Sequence, residues 1–140
     1  MSESTVAKKV VDKMFDADWF SQWLGIEKVL VESGKCVLRM SVKKEMLNGF
    51  GIAHGGITYS LADSALAFAS NSHGRMAVSI ETSISHTKSL KEGDVITATA
   101  EELSLTDKIG VYQVNIINQN QETVALFKGT VYRTPKNWEI

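Results

Sequence analysis

The chain has 140 residues, a formal net charge of −1 and a single cysteine, and 44% of its residues are hydrophobic. This length predicts one domain, residues 1–140, with its own core. The near-zero charge gives no electrostatic support for a nucleic-acid partner, and one cysteine excludes an internal disulfide or a cysteine-rich metal site. No run approaches the roughly 18 apolar residues of a membrane span, and the N-terminus lacks a secretory pattern. We therefore expect a cytoplasmic protein with no membrane partner.

Residues 4–24 predict helical structure. Their apolar residues, which include Trp19, Phe20 and Trp23, recur at helical spacing, and charged residues occupy the opposite face. Asp16 or Asp18 can cap a second segment. We therefore expect an N-terminal helix, continuous or in two segments, that packs on the core through this apolar stripe.

Residues 26–33 and 35–42 predict a β-hairpin with its turn at Ser33-Gly34. Alternation along the second strand places Cys36 on the apolar face. Cys36 is therefore expected to be a buried, hydrophobe-like side chain and not a nucleophile.

The rest of the chain predicts one long helix followed by a sheet. Residues 55–72 are apolar or small on nearly all sides, which is typical of a buried helix. Four strand-like segments follow, separated by short turns, namely Ala77–Lys88, Val95–Thr106, Val111–Asn118 and Thr123–Thr134, and the only proline, Pro135, falls in the tail. Hairpin-length turns indicate antiparallel pairing. The expected fold class is α+β, with a long antiparallel sheet wrapped around one central helix.

The start of this helix carries residues that a core helix does not need. A glycine-rich loop leads into His54-Gly55-Gly56, although glycine weakens helices. Bare backbone there leaves the unpaired N–H groups of a helix start open to a ligand. Asp63 is the one acid in a run that is otherwise apolar or small. It could also be a structural carboxylate, satisfied by a neighbour such as Ser60 or Ser64.

Helix geometry keeps the two features apart within one chain. His54 and Asp63 are nine residues apart, which is about 900° of rotation, a net half turn, and a rise of about 13 Å. Two antiparallel copies of the helix can bring each start against the Asp63 of the other copy. A site that uses both features therefore predicts a twofold dimer interface with two equivalent sites.

An ordered set of short motifs extends this interpretation to nearly the whole chain. The motifs are Met46-Leu47-Asn48-Gly49, His54-Gly55-Gly56, Ser60-Leu61-Ala62-Asp63, Asn71-Ser72-x-Gly74, Gly93-Asp94-x-x-Thr97-Ala98-Thr99-Ala100, Gly110-Val111-Tyr112 and the segment from Thr123 to Gly129. In this order they resemble the hot-dog-fold acyl-CoA thioesterases, above all the phenylacetic-acid-degradation (PaaI) type, over residues 14–133.

The resemblance implies hydrolysis of an acyl-CoA thioester, with aryl-acetyl groups as the expected substrates, by a homodimer or a dimer of dimers. It implies that the Gly55 N–H polarises the thioester carbonyl, that Asn48 assists there, and that His54 orients the loop or the leaving sulfur. It implies that Asp63 of the other subunit activates water or attacks directly, and that Ser79 helps to place the water or carboxylate. It implies no metal or redox cofactor, since coenzyme A is part of the substrate.

The substrate-binding residues are less well defined by the resemblance. Candidates for the acyl pocket are Phe50, Ile52, Tyr59 and residues near Ser85-His86. Candidates to meet the anionic phosphates of the coenzyme A nucleotide are Lys88, Lys91, Lys108 and Arg133. His73 and His86 show no signal beyond that of solvated or edge residues. Ser89 follows Lys88 where many relatives have proline, so this loop is expected to be less rigid.

Two other functions remain open at this level. Hot-dog dehydratases and hydratases also pair a histidine with an acid across a dimer, although the order of His54, Gly55 and Asp63 is more similar to the thioesterase branch. A non-catalytic acyl-CoA binder would use the same groove without turnover.

Overall fold

A computed structural model describes all 140 residues as three helices and six strands. The helices are α1 (Glu3–Asp16), α2 (Trp19–Trp23) and α3 (Gly55–Asn71), and the strands are β1 (Glu27–Glu32), β2 (Lys35–Ser41), β3 (Arg75–His86), β4 (Val95–Leu105), β5 (Ile109–Ile117) and β6 (Thr123–Asn137). A single 3₁₀ turn at Lys44–Met46 leads from β2 toward α3.

The six strands form one antiparallel sheet in the order β1-β2-β4-β5-β6-β3. The sheet curls around α3, which packs against β2, β3, β4, β5 and β6. Alternate residues of β2 face the helix, and Cys36 among them is completely buried, as predicted. The predicted α+β arrangement of a long sheet around a central helix is therefore confirmed.

α3 is buried on all sides but one. After its first turn, the residues that stay at least partly exposed are Tyr59, Ser60, Asp63 and Ala67. Asp63 follows Tyr59 by four residues and Ser60 by three, and Ala67 follows Asp63 by four, so these residues form a stripe along one side of the helix. Asp63 thus lies on the one side of α3 that neither the sheet nor the N-terminal helices cover.

The N-terminal segment is broken into two helices. Ser2 caps α1, and its hydroxyl accepts the Thr5 N–H at 3.1 Å. Asp18, one of the two predicted caps, accepts the Ser21 N–H at 3.0 Å and starts α2.

The predicted burial of the aromatic residues of α2 is wrong. Trp19, Phe20 and Trp23 are 72%, 51% and 74% exposed. The side of α2 that faces the core carries Ser21, whose hydroxyl bonds to that of Ser64 on α3 at 2.8 Å. The break between the helices changes the direction of the chain. The apolar residues of α1 and α2 therefore do not lie on one common buried face.

Strand boundaries differ from the prediction by a few residues. β3 runs from Arg75 to His86, two residues earlier at each end, and β5 begins at Ile109, inside the predicted turn. β6 extends to Asn137 and so includes Pro135, which was expected in the tail. Pro135 has no partner in the β3–β6 ladder, so its missing N–H removes no pairing hydrogen bond.

The helices are too short or too polar to cross a membrane.

Candidate active site

The loop before α3 is held in place by backbone hydrogen bonds. The Asn48 N–H donates to Ile52 O at 2.8 Å, and the Ala53 N–H donates to Leu90 O at 2.8 Å. Gly51 has a φ of +80°, which glycine adopts without strain. These hydrogen bonds close the loop into a turn and fix the direction in which the chain enters α3.

The first amide of α3 is free. His54 caps the helix, and its Nδ1 accepts the Gly56 N–H at 2.9 Å. Its backbone carbonyl accepts the Ile57 N–H at 2.9 Å. The Gly55 N–H has no acceptor in the chain, and Gly55 is exposed. His54 thus organises the helix start while the positive end of the helix leaves one donor open at Gly55.

Asn48 presents a second free donor beside it. Its Oδ1 accepts the N–H groups of Phe50 at 2.9 Å and Ile52 at 3.4 Å, whereas its amide nitrogen has no partner in the chain. Asn48 and Gly55 line the same cavity of about 370 Å³, which we call the carbonyl-end cavity. Two unpaired N–H donors that share a cavity are suited to bind a carbonyl oxygen and to stabilise negative charge on it.

Asp63 lines a different cavity of about 380 Å³, the carboxylate cavity, whose walls are mostly apolar. The carboxylate is half-buried and accepts no hydrogen bond from the chain. Ser64 does not satisfy it, because the Ser64 hydroxyl bonds to Ser21 instead. Burial raises the pKa of Asp63 above its ordinary value, and the negative charge of Asp18 raises it further. An unpaired carboxylate of raised pKa is a better base than an ordinary one.

Ser79 lines the carboxylate cavity together with Asp63. The pairing of β3 with β6 is irregular at this point, because Ser79 pairs with Val131 and Glu81 with Thr130, which leaves Ile80 as an extra residue. Such bulges often redirect side chains next to active sites. The Ser79 hydroxyl has no partner in the chain and can hold a water beside the carboxylate.

One chain therefore carries two separate groups of predicted residues. Asp63 follows Gly55 by eight residues, a rise of about 12 Å along α3. Asn48 and Gly55 line the carbonyl-end cavity, whereas Asp63 and Ser79 line the carboxylate cavity. The structure does not bring the two groups together within one subunit.

The predicted acyl-pocket aromatics occupy neither cavity. Phe50 lies at the tip of the loop and is almost fully exposed. Tyr59 is on the open stripe of α3, where its hydroxyl bonds to Thr82 Oγ1 at 2.6 Å and its ring packs edge-on against Phe127.

The four predicted phosphate-binding residues divide between two ends of the molecule. Lys88 lines the carbonyl-end cavity and pairs with Glu122 at 2.7 Å, and Lys91 pairs with Asp94 at 3.0 Å. Lys108 and Arg133 line a polar surface groove elsewhere. Arg133 pairs with Ala77 and the other end of β3 is His86, so about 30 Å of strand separates this groove from the carbonyl end of the same chain.

Both histidines that were expected to be solvated or edge residues make specific contacts. His73 bonds through Nε2 to Glu102 at 2.6 Å and through Nδ1 to Ser33 at 3.1 Å, which links the end of α3 to the sheet. His86 lines the carbonyl-end cavity, and its Nδ1 lies 3.1 Å from the Thr58 hydroxyl. Sequence spacing missed this contact because it joins the end of a strand to the start of a helix 28 residues earlier.

No three His, Cys, Asp or Glu side chains converge as metal ligands.

Comparison with known proteins identifies the family of this chain. The sequence pattern of the thioesterase superfamily matches residues 50–125. Acyl-coenzyme A thioesterase PaaI of Escherichia coli is 41% identical over 120 residues, which are 86% of each protein. The structure of the E. coli PaaI protein from the phenylacetic acid degradation operon has a TM-score of 0.95 at 38% identity, over 97% of this chain and 99% of that one. A hypothetical thioesterase of Streptococcus pneumoniae, solved with coenzyme A, has a TM-score of 0.82 at 28% identity, over 91% and 98%. The chain belongs to the thioesterase superfamily, and its curled sheet around a central helix is the hot-dog fold that its motifs resemble.

Proposed function

We propose that this protein hydrolyses acyl-CoA thioesters to the free acid and coenzyme A. The observation that carries the proposal is the Asp63 carboxylate, which is half-buried in an apolar cavity without any hydrogen-bond partner. Leaving such a group unpaired costs stability, so its retention points to chemistry. The similarity to a relative named acyl-coenzyme A thioesterase supports the same activity.

In the proposed reaction, the Gly55 N–H and the Asn48 amide bind the thioester carbonyl oxygen. Asp63 of the other subunit takes a proton from water, the water oxygen bonds to the carbonyl carbon, and negative charge collects on the carbonyl oxygen. The carbon–sulfur bond then breaks, and coenzyme A leaves as a thiolate. Direct attack by Asp63, followed by hydrolysis of the anhydride, would use the same geometry. Preorganised donors of this type contribute about 10²–10³-fold to the rate, and neither route requires a metal or redox cofactor.

The proposal requires a homodimer, and two features of the surface favour one. β3 is an edge strand of 12 residues with an unpaired side, and natural proteins seldom leave such a long edge uncovered. Val78 and Ile80 on this strand are 56% and 59% exposed. The open stripe of α3 lies on the same side of the chain as the carboxylate cavity. A twofold partner that covers both would complete each site, and two such dimers would form a tetramer.

We propose aryl-acetyl groups as the acyl portion of the substrate. The carboxylate cavity has the size and the apolar walls to take a compact aromatic ring. The similarity to a protein from the phenylacetic acid degradation operon supports this choice. Phe50 and Tyr59 remain candidates for the acyl pocket. Lys88, Lys91, Lys108 and Arg133 remain candidates for the nucleotide phosphates, with the last two contributed by a different subunit from the first two.

The test compares Asp63→Asn with wild type on a panel of acyl-CoA thioesters, with free coenzyme A detected by a thiol-reactive dye. Asp63→Asn keeps the size of the side chain but removes the base, so kcat should fall by at least 10²-fold with the fold and dimer intact. The matched control is Asp16→Asn, which changes an exposed acid at the end of α1.

Three results would contradict the proposal. Full activity of Asp63→Asn would exclude the role given to Asp63. Loss of unsaturated-thioester absorbance without thiol release would identify a hydratase. Tight retention of acyl-CoA without turnover across the panel would identify a binding protein.

A further inference from the structure

The imidazole of His86 lies beside Gly55, the first residue of α3, whose amide is free. A Cβ placed on Gly55 would meet His86 Nε2 at 3.3 Å. Since the nitrogen and the Cβ position of Gly55 are both one bond from its Cα, Nε2 lies within about 6 Å of the Gly55 nitrogen. An oxygen that accepts the Gly55 N–H at about 2.9 Å can therefore also be within reach of Nε2.

The Thr58 hydroxyl holds the other side of the ring. Thr58 Oγ1 lies 3.1 Å from Gly55 O and 3.1 Å from His86 Nδ1. A hydroxyl has one hydrogen, so it donates to one of these acceptors at a time. When it donates to Gly55 O, its oxygen accepts the Nδ1–H, and Nε2 then carries a hydrogen only if the imidazole is protonated. When it turns to Nδ1 instead, the imidazole is neutral and carries its hydrogen on Nε2. In the second arrangement, and in the protonated imidazole, Nε2 is a donor that faces the carbonyl-end cavity.

We propose that His86 is a further donor of the active site, and that its Nε2–H binds the thioester carbonyl oxygen beside the Gly55 N–H as negative charge develops there. Thr58 is then a positioning residue, which acts by orienting the imidazole and by turning its hydroxyl between Gly55 O and Nδ1. This assignment rests on the proposed thioesterase function. It also explains why residue 55 is glycine, because a side chain there would occupy the space between the amide and the imidazole.

Three substitutions of His86 distinguish the effect of losing the Nε2–H donor from the effect of losing the ring. His86→Gln places an N–H near the position of Nε2, His86→Asn offers polar atoms only near the position of Nδ1, and His86→Phe keeps the ring without a donor. We expect kcat to fall by about 10- to 100-fold in the Asn and Phe variants, with KM little changed, and the Gln variant to retain most of the activity.

The role of Thr58 is tested by a double-mutant cycle. Thr58→Val should lower kcat, and the loss should be much smaller in the His86→Phe background, because Thr58 acts through His86. Thr58→Ser, which keeps the hydroxyl, should stay close to wild type. Melting temperatures of all variants show whether a loss of kcat follows from loss of the fold.

A second readout does not depend on turnover. In a ketone analogue of the acyl-CoA, in which CH₂ replaces sulfur, the carbonyl stretching frequency in the bound state reports its hydrogen bonds. We expect wild type and His86→Gln to shift this frequency further down than His86→Asn and His86→Phe do. Unchanged kcat and carbonyl frequency in folded His86→Phe would overturn the His86 assignment alone. A wild-type protein that neither hydrolyses acyl-CoA nor binds the analogue would overturn the proposed function and this assignment together.

Discussion

At the residue scale, the site is marked by polar groups that the chain does not satisfy. The Gly55 N–H, the amide nitrogen of Asn48, and the Asp63 carboxylate all lack partners, although most polar groups in folded proteins have one. Of the three, the half-buried Asp63 carboxylate reduces the stability of the isolated fold, whereas the two donors lie at a surface cavity that water can enter. Their concentration around one helix is the pattern expected where a binding site trades stability for chemistry.

The unfavourable burial of the charged Asp63 carboxylate predicts that Asp63→Asn stabilises the protein at neutral pH. Burial raises the pKa of Asp63 in the folded chain, so the folded state binds this proton more tightly than the unfolded state does. Stability therefore falls as pH rises through the unfolded pKa, about 3.9, toward the folded one, and the full penalty is present at pH 7. Because solvent screens a half-buried carboxyl, the gain should be on the order of 0.5 kcal/mol.

Urea unfolding of Asp63→Asn and wild type measures this gain. It should be largest at pH 7 and shrink as the pH falls toward 4, where the wild-type carboxyl takes up its proton. Glu92→Gln, which changes an exposed acid that lies in a turn and forms no ion pair, should show no comparable gain. An Asp63→Asn variant less stable than wild type at pH 7 would mean that the carboxylate makes favourable contacts in the assembled protein.

For single residues, prediction from the sequence succeeds where the residue type does not suit the helix that carries it. Asp63 and Gly55 are conspicuous because an acid and a glycine pair do not suit a buried helix, and the structure finds both groups unpaired. His86 does not stand out in the sequence, because histidine is an ordinary residue at the end of a strand. Its contacts with Thr58 and Gly55 depend on how β3 ends over the start of α3, which is a tertiary relation that local patterns do not encode.

At the element scale, Leu66 of α3 packs directly on the backbone of β6 at Gly129. A Cβ on Gly129 would lie 2.5 Å from Cδ2 of Leu66, a distance that atoms do not tolerate, and Leu66 is almost fully buried. Glycine at this point allows the curled sheet to touch the helix. Small residues in the sequence indicated close packing, but which strand makes the approach depends on the sheet order.

Gly129→Ala should therefore destabilise the protein by about 1–3 kcal/mol, because Leu66 must leave its position in a filled core. Gly49→Ala is the matched control, since a Cβ at Gly49 would meet nothing within 4 Å. Denaturant unfolding of both variants gives the comparison. Equal stability of the two would mean that α3 and β6 can separate at no cost, contrary to the packing described.

Element boundaries and the outer faces were harder to predict than the elements themselves. Alternation identified each strand, but β6 continues through Pro135 because that position has no ladder partner to lose. The exposure of Trp19 and Trp23 was missed for a related reason. An apolar stripe identifies a face of a helix, whereas the direction in which that face points is decided by the break before Asp18.

At the scale of the whole molecule, the two cavities predict that activity belongs to a pair of subunits. Asn48→Asp should inactivate the carbonyl end, because it keeps the oxygen that accepts the Phe50 N–H and replaces the free amide with a negative charge. Asp63→Asn should inactivate the carboxylate end. Each site of a mixed dimer takes its two ends from different chains, so one of its two sites has both ends intact.

Mixing the two inactive variants under conditions of subunit exchange should therefore restore activity. Random pairing makes half of the dimers mixed, so about one quarter of all sites should work. The control is each variant alone at the same total concentration, which should stay inactive. A mixture that forms mixed dimers but remains inactive would place both ends of the site in one chain.

The burial of Cys36 has a consequence for the redox chemistry of such an enzyme. Burial raises the pKa of this thiol to about 12, so the thiolate that would attack a disulfide is scarce at neutral pH. A hydrolase of acyl-CoA releases a thiol at every turnover, and under oxidising conditions that product becomes a disulfide able to cross-link exposed cysteines. Because its only sulfhydryl is sealed inside the sheet, this protein should work beside oxidised coenzyme A without becoming covalently attached to its own product.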